Sequence, residues 1–288
     1  MQFTAGQTFY YRLSAVIEAQ DLTNLGALYH PDAVSLSLST GQVLRGREAI
    51  LDSFKQTFQV AGAISPSSVE SLVEVEGAVC VEATLATRFA KIQTYDIYML
   101  QAGMVKQHVG GLISPRPPVG QGSAQGLPQT RGGAFYHRYC QATEARDFAT
   151  LESLYHPAMV SVSCSVNESL RGRDAIISLF KQAMQNGGYI KLKSIESFVE
   201  NGEIIAVEAA QTTKLGAGSM GSIQFDTLTY GVFVLRAGQI RLHFGGGISP
   251  RGPELQQAIQ RQMKQLYQVR TEQRRMIWDA THPRRYPW

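Results

Sequence analysis

Cysteine is scarce in this 288-residue chain, tryptophan scarcer still, and no apolar run approaches the roughly 18 residues that a membrane span needs. The three cysteines, Cys80, Cys140 and Cys164, stand in no CxxC or Cys/His spacing, which argues against a disulfide framework or a structural zinc. The first residues lack a basic-then-apolar signal pattern, so the expected compartment is the cytoplasm. Charge is sparse as well. Charged residues make up 17% against 44% hydrophobic, a balance that belongs to globular domains rather than to disordered chains. The net charge of +4 is concentrated at one end: from Glu254 onward seven Lys/Arg meet three Asp/Glu, and the remainder holds 20 of each sign. The body therefore has no basic face for nucleic acid or an anionic membrane, and only the tail raises that question. No metal cluster, phosphate loop or Ser-His-Asp pattern stands out in the sequence, so no cofactor and no metal is expected.

What the chain does have is internal repetition. Leu28-Tyr29-His30-Pro31 returns as Leu154-Tyr155-His156-Pro157, and Arg45-Gly46-Arg47-Glu48-Ala49-Ile50 as Arg171-Gly172-Arg173-Asp174-Ala175-Ile176, both at an offset of 126. Gly110-Gly111-Leu112-Ile113-Ser114-Pro115-Arg116 returns as Gly245-Gly246-Gly247-Ile248-Ser249-Pro250-Arg251 at an offset of 135, so nine residues are inserted in the second copy. The insertion falls near Leu215–Ser222, where a longer hairpin loop is expected. This is a tandem duplication: residues 1–116, a Pro/Gly/Gln/Ser-rich linker at 117–133, a second copy at 134–252, and a basic tail at 253–288.

Each copy predicts helices first and strands after. Thr8–Ala19 carries an apolar stripe at helical spacing, Asp21 caps a second helix that Pro31 stops, and Gly46 leads into a third from Arg47 to Phe58. Between them Val34, Leu36 and Leu38 alternate with Ser35, Ser37 and Ser39, a pattern repeated in the second copy by Val160, Val162 and Cys164 against Ser161, Ser163 and Ser165. Ser68–Val75, Ala78–Phe89, Thr94–Leu100 and Val105–Ile113 read as a meander of strands. This order predicts α+β domains with helices on one face of an antiparallel sheet. In the tail, Leu255, Ile259, Met263 and Leu266 share a helical face, which predicts an amphipathic helix from Glu254 to about Asp279.

On the Leu-Tyr-His-Pro-Asp-Ala-Val segment (28–34), the Gly-Arg-Glu-Ala-Ile helix start (46–50) and the late Gly103 hairpin, the chain resembles the nuclear transport factor 2-like superfamily, in particular its SnoaL-like branch. The resemblance implies two cone-shaped domains, each with three helices closing over a strongly curved sheet around a cavity. It also implies pairing through the sheets, here between the two copies of one chain, with a homodimer as a further arrangement. The isomerase-like members place a carboxylate base where this chain has Ser37 and Ser163, and a carbonyl-polarising tyrosine where it has Leu13 and Tyr139. A serine hydroxyl without a partner base does not abstract a carbon-bound proton near neutral pH. That mechanism is therefore disfavoured, and the second copy, with Tyr139 and His137 on its first helix, is the better catalytic candidate.

Other candidates come from the strands. His108 and His243 stand at equivalent places in the last strand of each copy; strand alternation assigns them to the sheet's outer face or an interface, with catalysis as the alternative. Ser37 and Ser163 line the cavity if the isomerase-like register holds, and face solvent if the apolar stripe of the same strand fills the core. Tyr95, Tyr98, Tyr230 and Phe233 suit a cavity wall or a packed core. His30 and His156 read as caps on the preceding helix, and Glu82 and Glu208 as surface partners of Arg88 and Lys214. Two functions follow as expectations: binding, with or without conversion, of a small apolar or polycyclic molecule in one or both cones, or a non-catalytic scaffold whose fused domains and basic tail hold a partner protein.

Overall fold

The computed structural model describes residues 3–115, 126–185, 187–216 and 222–249. The expected tail helix, the central part of the linker and the tip of the inserted hairpin lie outside the described residues.

The first copy opens with α1 (Ala5–Glu18), whose N-terminus is closed by a reciprocal pair: the Thr4 hydroxyl accepts from the Gln7 amide, and the Gln7 side chain accepts from Thr4. The short α2 (Leu22–Leu28) is capped by Asp21, whose carboxylate accepts from the Asn24 amide and is held below its usual pKa by it. The chain then turns directly into β1 (Tyr29–Ser37). Here His30 does not cap the helix as its position suggested. Its Nδ1 accepts from the Asp32 amide two residues on, and His156 does the same for Ala158, so both imidazoles shape the start of a strand. After β2 (Gln42–Arg45), Gly46 takes a positive φ of 83° to enter α3 (Arg47–Ala61), and β3 (Ser65–Val75), β4 (Ala78–Ala86), β5 (Lys91–Gln101) and β6 (Met104–Ser114) complete the copy.

The second copy repeats the order with α4 (Arg131–Ala145), α5 (Phe148–Leu154), β7 (Tyr155–Ser163), a single 3-10 turn at Cys164–Val166, β8 (Glu168–Arg171), α6 (Arg173–Gln185), β9 (Tyr189–Asn201), β10 (Ile204–Gly216), β11 (Ser222–Arg236) and β12 (Gln239–Ser249). Each copy builds its own six-stranded sheet, in the orders β2-β1-β6-β5-β4-β3 and β8-β7-β12-β11-β10-β9. The sheets are mixed rather than antiparallel throughout: β1 runs parallel to β6, and β7 parallel to β12. The cause is the connection. Helix α3 and four strands, β2 to β5, separate β1 from its neighbour β6, so a simple hairpin direction is not imposed on that pair.

Each sheet is buried on both faces. On one, Val79, Val81, Ala83, Tyr98 and Val105 pack under Phe9, Leu13, Leu25 and Ile50 of the helices. On the other, Leu36, Leu38, Cys80, Tyr95, Ile97 and Val109 form a single core with Val160, Val162, Cys164, Ala206, Tyr230 and Phe244 of the second copy. The strand alternation left two orientations open for its serines. The apolar stripe of β1 faces the second copy, and the serines face the helices rather than solvent. In β6 a register irregularity between the pairs Met99–Gln107 and Leu100–Val105 puts Val105 under the helices, while Val109 faces the other copy.

Polar groups are buried in this shared core. Glu82 and Glu208, expected as surface partners of Arg88 and Lys214, are only 2% and 1% exposed. Tyr95 donates to Glu208 Oε1 at 2.5 Å and Tyr230 to Glu82 Oε1 at 2.7 Å, while the two phenol rings stack with centroids 3.8 Å apart and planes 2° from parallel. The repeated Gly-Gly of the last strand explains how such rings fit. A Cβ at Gly111 would overlap the hydroxyl end of Tyr95, and one at Gly246 that of Tyr230.

A disulfide, Cys80–Cys164, crosses the same core with its Cα atoms 6.5 Å apart. This corrects the expectation of unpaired cysteines. The sulfurs come from non-equivalent positions (Ala206 and Leu38 occupy the matching places), so no spacing within either copy signals the bond. Cys140 remains free, its thiol pushed up to about 12 by burial.

Candidate functional site

In the first copy, one polar chain crosses the helix-facing side of the sheet. Strand β6 presents His108 and β5 presents Asp96 and Tyr98; the register pairs Tyr98 with His108 and Asp96 with Gly110, so the carboxylate reaches the imidazole diagonally. His108 Nε2 lies 2.9 Å from Asp96 Oδ1, and Ser35 Oγ lies 3.1 Å from Nδ1. Thr94 donates to the other Asp96 oxygen at 3.0 Å, and the Tyr98 ring stacks flat on the imidazole at 4.6 Å. The His108 and Asp96 side chains keep 14% and 21% exposure, so the pair is recessed yet reachable.

In the neutral tautomer that donates from Nε2 to an ionised Asp96, the Nδ1 lone pair receives the Ser35 hydroxyl. Gly110 makes room for this: a Cβ there would stand 2.6 Å from Asp96 Oδ1 and 3.2 Å from His108 Nε2. Around the pair stand three buried phenols. Burial raises the pKa of Tyr10 to about 12, and burial raises those of Tyr29 and Tyr98 further; in all three the charge of Asp96 adds to the rise. All three stay neutral donors near pH 7.

The second copy keeps the shell and loses the charge. His243 stacks on Phe233 at 4.6 Å and meets Ser161 at 3.3 Å, but Gly231 stands where the first copy has Asp96. Without a carboxylate, desolvation lowers the His243 pKa to about 4, so the ring is neutral. Tyr139 lies against Tyr136, Tyr155 and Phe233, with ring centroids 5.2 to 6.4 Å away, and burial lifts its hydroxyl to about 12.

The predicted residues therefore divide three ways. His108, Tyr98 and Ser37 share the helix-facing side of the first sheet; His243, Phe233, Tyr139 and Ser163 share that of the second. Tyr95 and Tyr230 wall neither cone, because their odd places in the strands turn them into the core between the copies. His137 is exposed on α4, away from both groups. Sequence reasoning missed Asp96, Tyr10 and Tyr29, and had Ser35 only within the serine stripe of its strand. A signal for Asp96 existed: a lone carboxylate in the apolar run Tyr95–Leu100, replaced by glycine in the other copy. Among the described residues, no group of three or more His, Cys, Asp and Glu side chains could hold a metal ion, and no helix is long and apolar enough to cross a membrane.

Two domains of this order, each with helices on a six-stranded mixed sheet, have the nuclear transport factor 2-like fold. The chain carries two SnoaL-like domains, matched by family models at residues 10–108 and 133–243. Similar solved structures include a protein designated a SnoaL-like polyketide cyclase from Shewanella putrefaciens (16% identity, TM-score 0.38, covering 42% of this chain and 91% of that one). Others are a LEH-like epoxide hydrolase from M. tuberculosis (17%, 0.36, 42% and 85%) and a protein of ketosteroid isomerase-like fold from Catenulispora acidiphila in complex with trimethylamine (14%, 0.31, 35% and 82%). No functionally curated protein matches the chain.

Proposed function

We propose that the first cone binds a small apolar or polycyclic molecule and moves a proton on it, with Asp96 and His108 as the acid–base pair. One observation carries the reading: a recessed Ser35–His108–Asp96 chain under the helices of one copy, with its carboxylate absent from the other. Asp96 fixes the imidazole so that Nδ1 is basic. A ligand proton passing to Ser35 Oγ, as the serine's own proton moves to Nδ1, creates an imidazolium that Asp96 stabilises at 2.9 Å. The reverse transfer returns the proton to another atom of the ligand. The helix residues over this side of the sheet, Phe9, Leu13 and Ile50, are apolar, which favours a hydrocarbon skeleton over a charged ligand.

The second cone, neutral at His243 and bare at Gly231, serves as the non-catalytic partner that completes the fold. Catalysis thus belongs to the first copy, whereas Tyr139 and His137 had favoured the second. Packing of the copies through their sheets joins the two domains within one chain. The cystine supports an oxidising compartment over the cytoplasm. The test is deuterium exchange into the α-carbon of a bicyclic ketone, 1-tetralone, in heavy water. The wild-type chain is expected to accelerate it, Asp96→Asn and His108→Gln to abolish the acceleration, and His243→Gln to leave it intact. Equal rates with and without protein would refute acid–base work on such ligands.

A further inference from the structure

Summed along the sequence the body offers no basic face, but the fold sorts the signs. Residues 1–115 hold seven Lys/Arg against ten Asp/Glu, yet no acid stands in 53–69, 83–95 or 107–115. Those three stretches meet at one end of the first sheet. Arg88 N donates to Ala61 O at 3.1 Å, which seats the hairpin between β4 and β5 on the C-terminal end of α3; Ser65 pairs with Ala86, and Gln93 with Ser114. Phe89, 68% exposed, and Val60, 65% exposed, flank that hydrogen bond along the chain. Lys55, Arg88 and Lys91 are exposed as well; among the described residues none of the three is in an ion pair, and the Arg88 guanidinium lies over the Phe89 ring at 4.6 Å. The nearest acid along β3, Glu70, is taken up by the Ser68 and Thr84 hydroxyls, both at 2.6 Å. The second copy supplies the comparison. Lys181 and Lys214 hold the places of Lys55 and Arg88, but Lys181 is paired with Glu152 at 3.3 Å and Lys193 with Asp226 at 2.7 Å. Where Glu152 and Asp226 stand, the first copy has Gly26 and Lys91, so those neutralising acids are missing from it.

We propose that this end of the first copy docks on an anionic lipid bilayer. Phe89 and Val60 enter the boundary between headgroups and acyl chains, and Lys55, Arg88 and Lys91 meet the lipid phosphates and carboxylates. The stack of Arg88 on Phe89 holds a cation level with the ring, at the depth where an apolar body and a charged tip are both satisfied. A purely charged partner would match the three cations and leave the two projecting apolar side chains uncovered, which is why a bilayer fits this surface better than a nucleic acid. The surface does not depend on the cone chemistry and stands whether or not a ligand binds under the helices.

The test is flotation of the full chain with vesicles of phosphatidylcholine, alone or mixed equally with phosphatidylserine. Wild type should float with the mixed vesicles, stay behind with the zwitterionic ones, and be released as salt is raised. Lys91→Gln should lower the partition coefficient about fivefold, the factor for one cation at an anionic surface. Phe89→Ser should lower it about tenfold or more, and Phe89→Leu should restore most of the loss. The tail is basic too, so the combination Arg270→Gln, Arg274→Gln and Arg275→Gln is measured alongside, and its residual binding should still depend on Phe89. Equal flotation of wild type and Phe89→Ser overturns the proposal and leaves the tail as the anchor. Absence of flotation, or flotation indifferent to phosphatidylserine, overturns it as well. Retention on polyglutamate without flotation overturns it in favour of an acidic protein partner.

Discussion

Replacing Tyr95 by phenylalanine removes one oxygen from the core between the copies and leaves the ring in place. The lost bond runs to a carboxylate buried to 1% exposure, at 2.5 Å. Hydrogen bonds to charged groups contribute about 1.5–3 kcal/mol, and the ring packing, including its stack on Tyr230, is retained. For a folded body of this size each kcal/mol moves the melting temperature by roughly 2–4 °C, so a fall of about 3–12 °C is expected. Tyr230→Phe should act alike through Glu82. The double variant should depart from the sum by about 0.5 kcal/mol or more, because the two rings touch. Differential scanning calorimetry supplies both readings, the size of the shift and whether one transition persists. If each single variant melts within about 1 °C of wild type, the phenol–carboxylate bonds contribute nothing net and the account of this core is wrong.

Two other expectations are independent of that core hydrogen bonding. The unfolded chain should titrate as one thiol without reductant and three with it; a ring closed over an 84-residue separation contributes about 4–5 kcal/mol on chain-entropy grounds, to be read as a lower urea midpoint after reduction. His243, with its pKa lowered to about 4 in the fold against 6.5 for the free residue, should make stability fall with acid: full above pH 6.5, up to about 3 kcal/mol lower near pH 4, with the slope reduced in His243→Gln. A flat urea midpoint across that range would contradict the buried neutral ring.

The sequence made the helices and the duplication legible because these are local: the cap at Asp21, turns at Gly46 and Gly103, and motifs that recur at fixed offsets. What it hid depended on which layer each strand face meets. Alternation in β1 separates Leu36 from Ser35 correctly, but only the fold reveals that a second domain buries Leu36 and that helices cover Ser35. The same ambiguity left Tyr95 between a cavity wall and a packed core and put His108 on the outer face. Glu82 and Glu208 illustrate the limit most sharply. A carboxylate reads as surface unless its partners are known, and here both phenols come from the opposite copy. Asp96 needed the diagonal reach across β5 and β6, which no spacing along the chain encodes.

The non-equivalence of Cys80 and Cys164 has a genetic side. In an assembly of identical chains every codon change is made twice, once on each side of the symmetry axis, and a cross-link such as this would come in pairs. Within one fused gene a substitution falls on one side alone. One cystine can then lock the two halves while one half keeps a carboxylate in its strand and the other carries glycine at the same place. Covalent fusion gives each copy its own mutational history, and a shape that needs two halves no longer requires them to share a task.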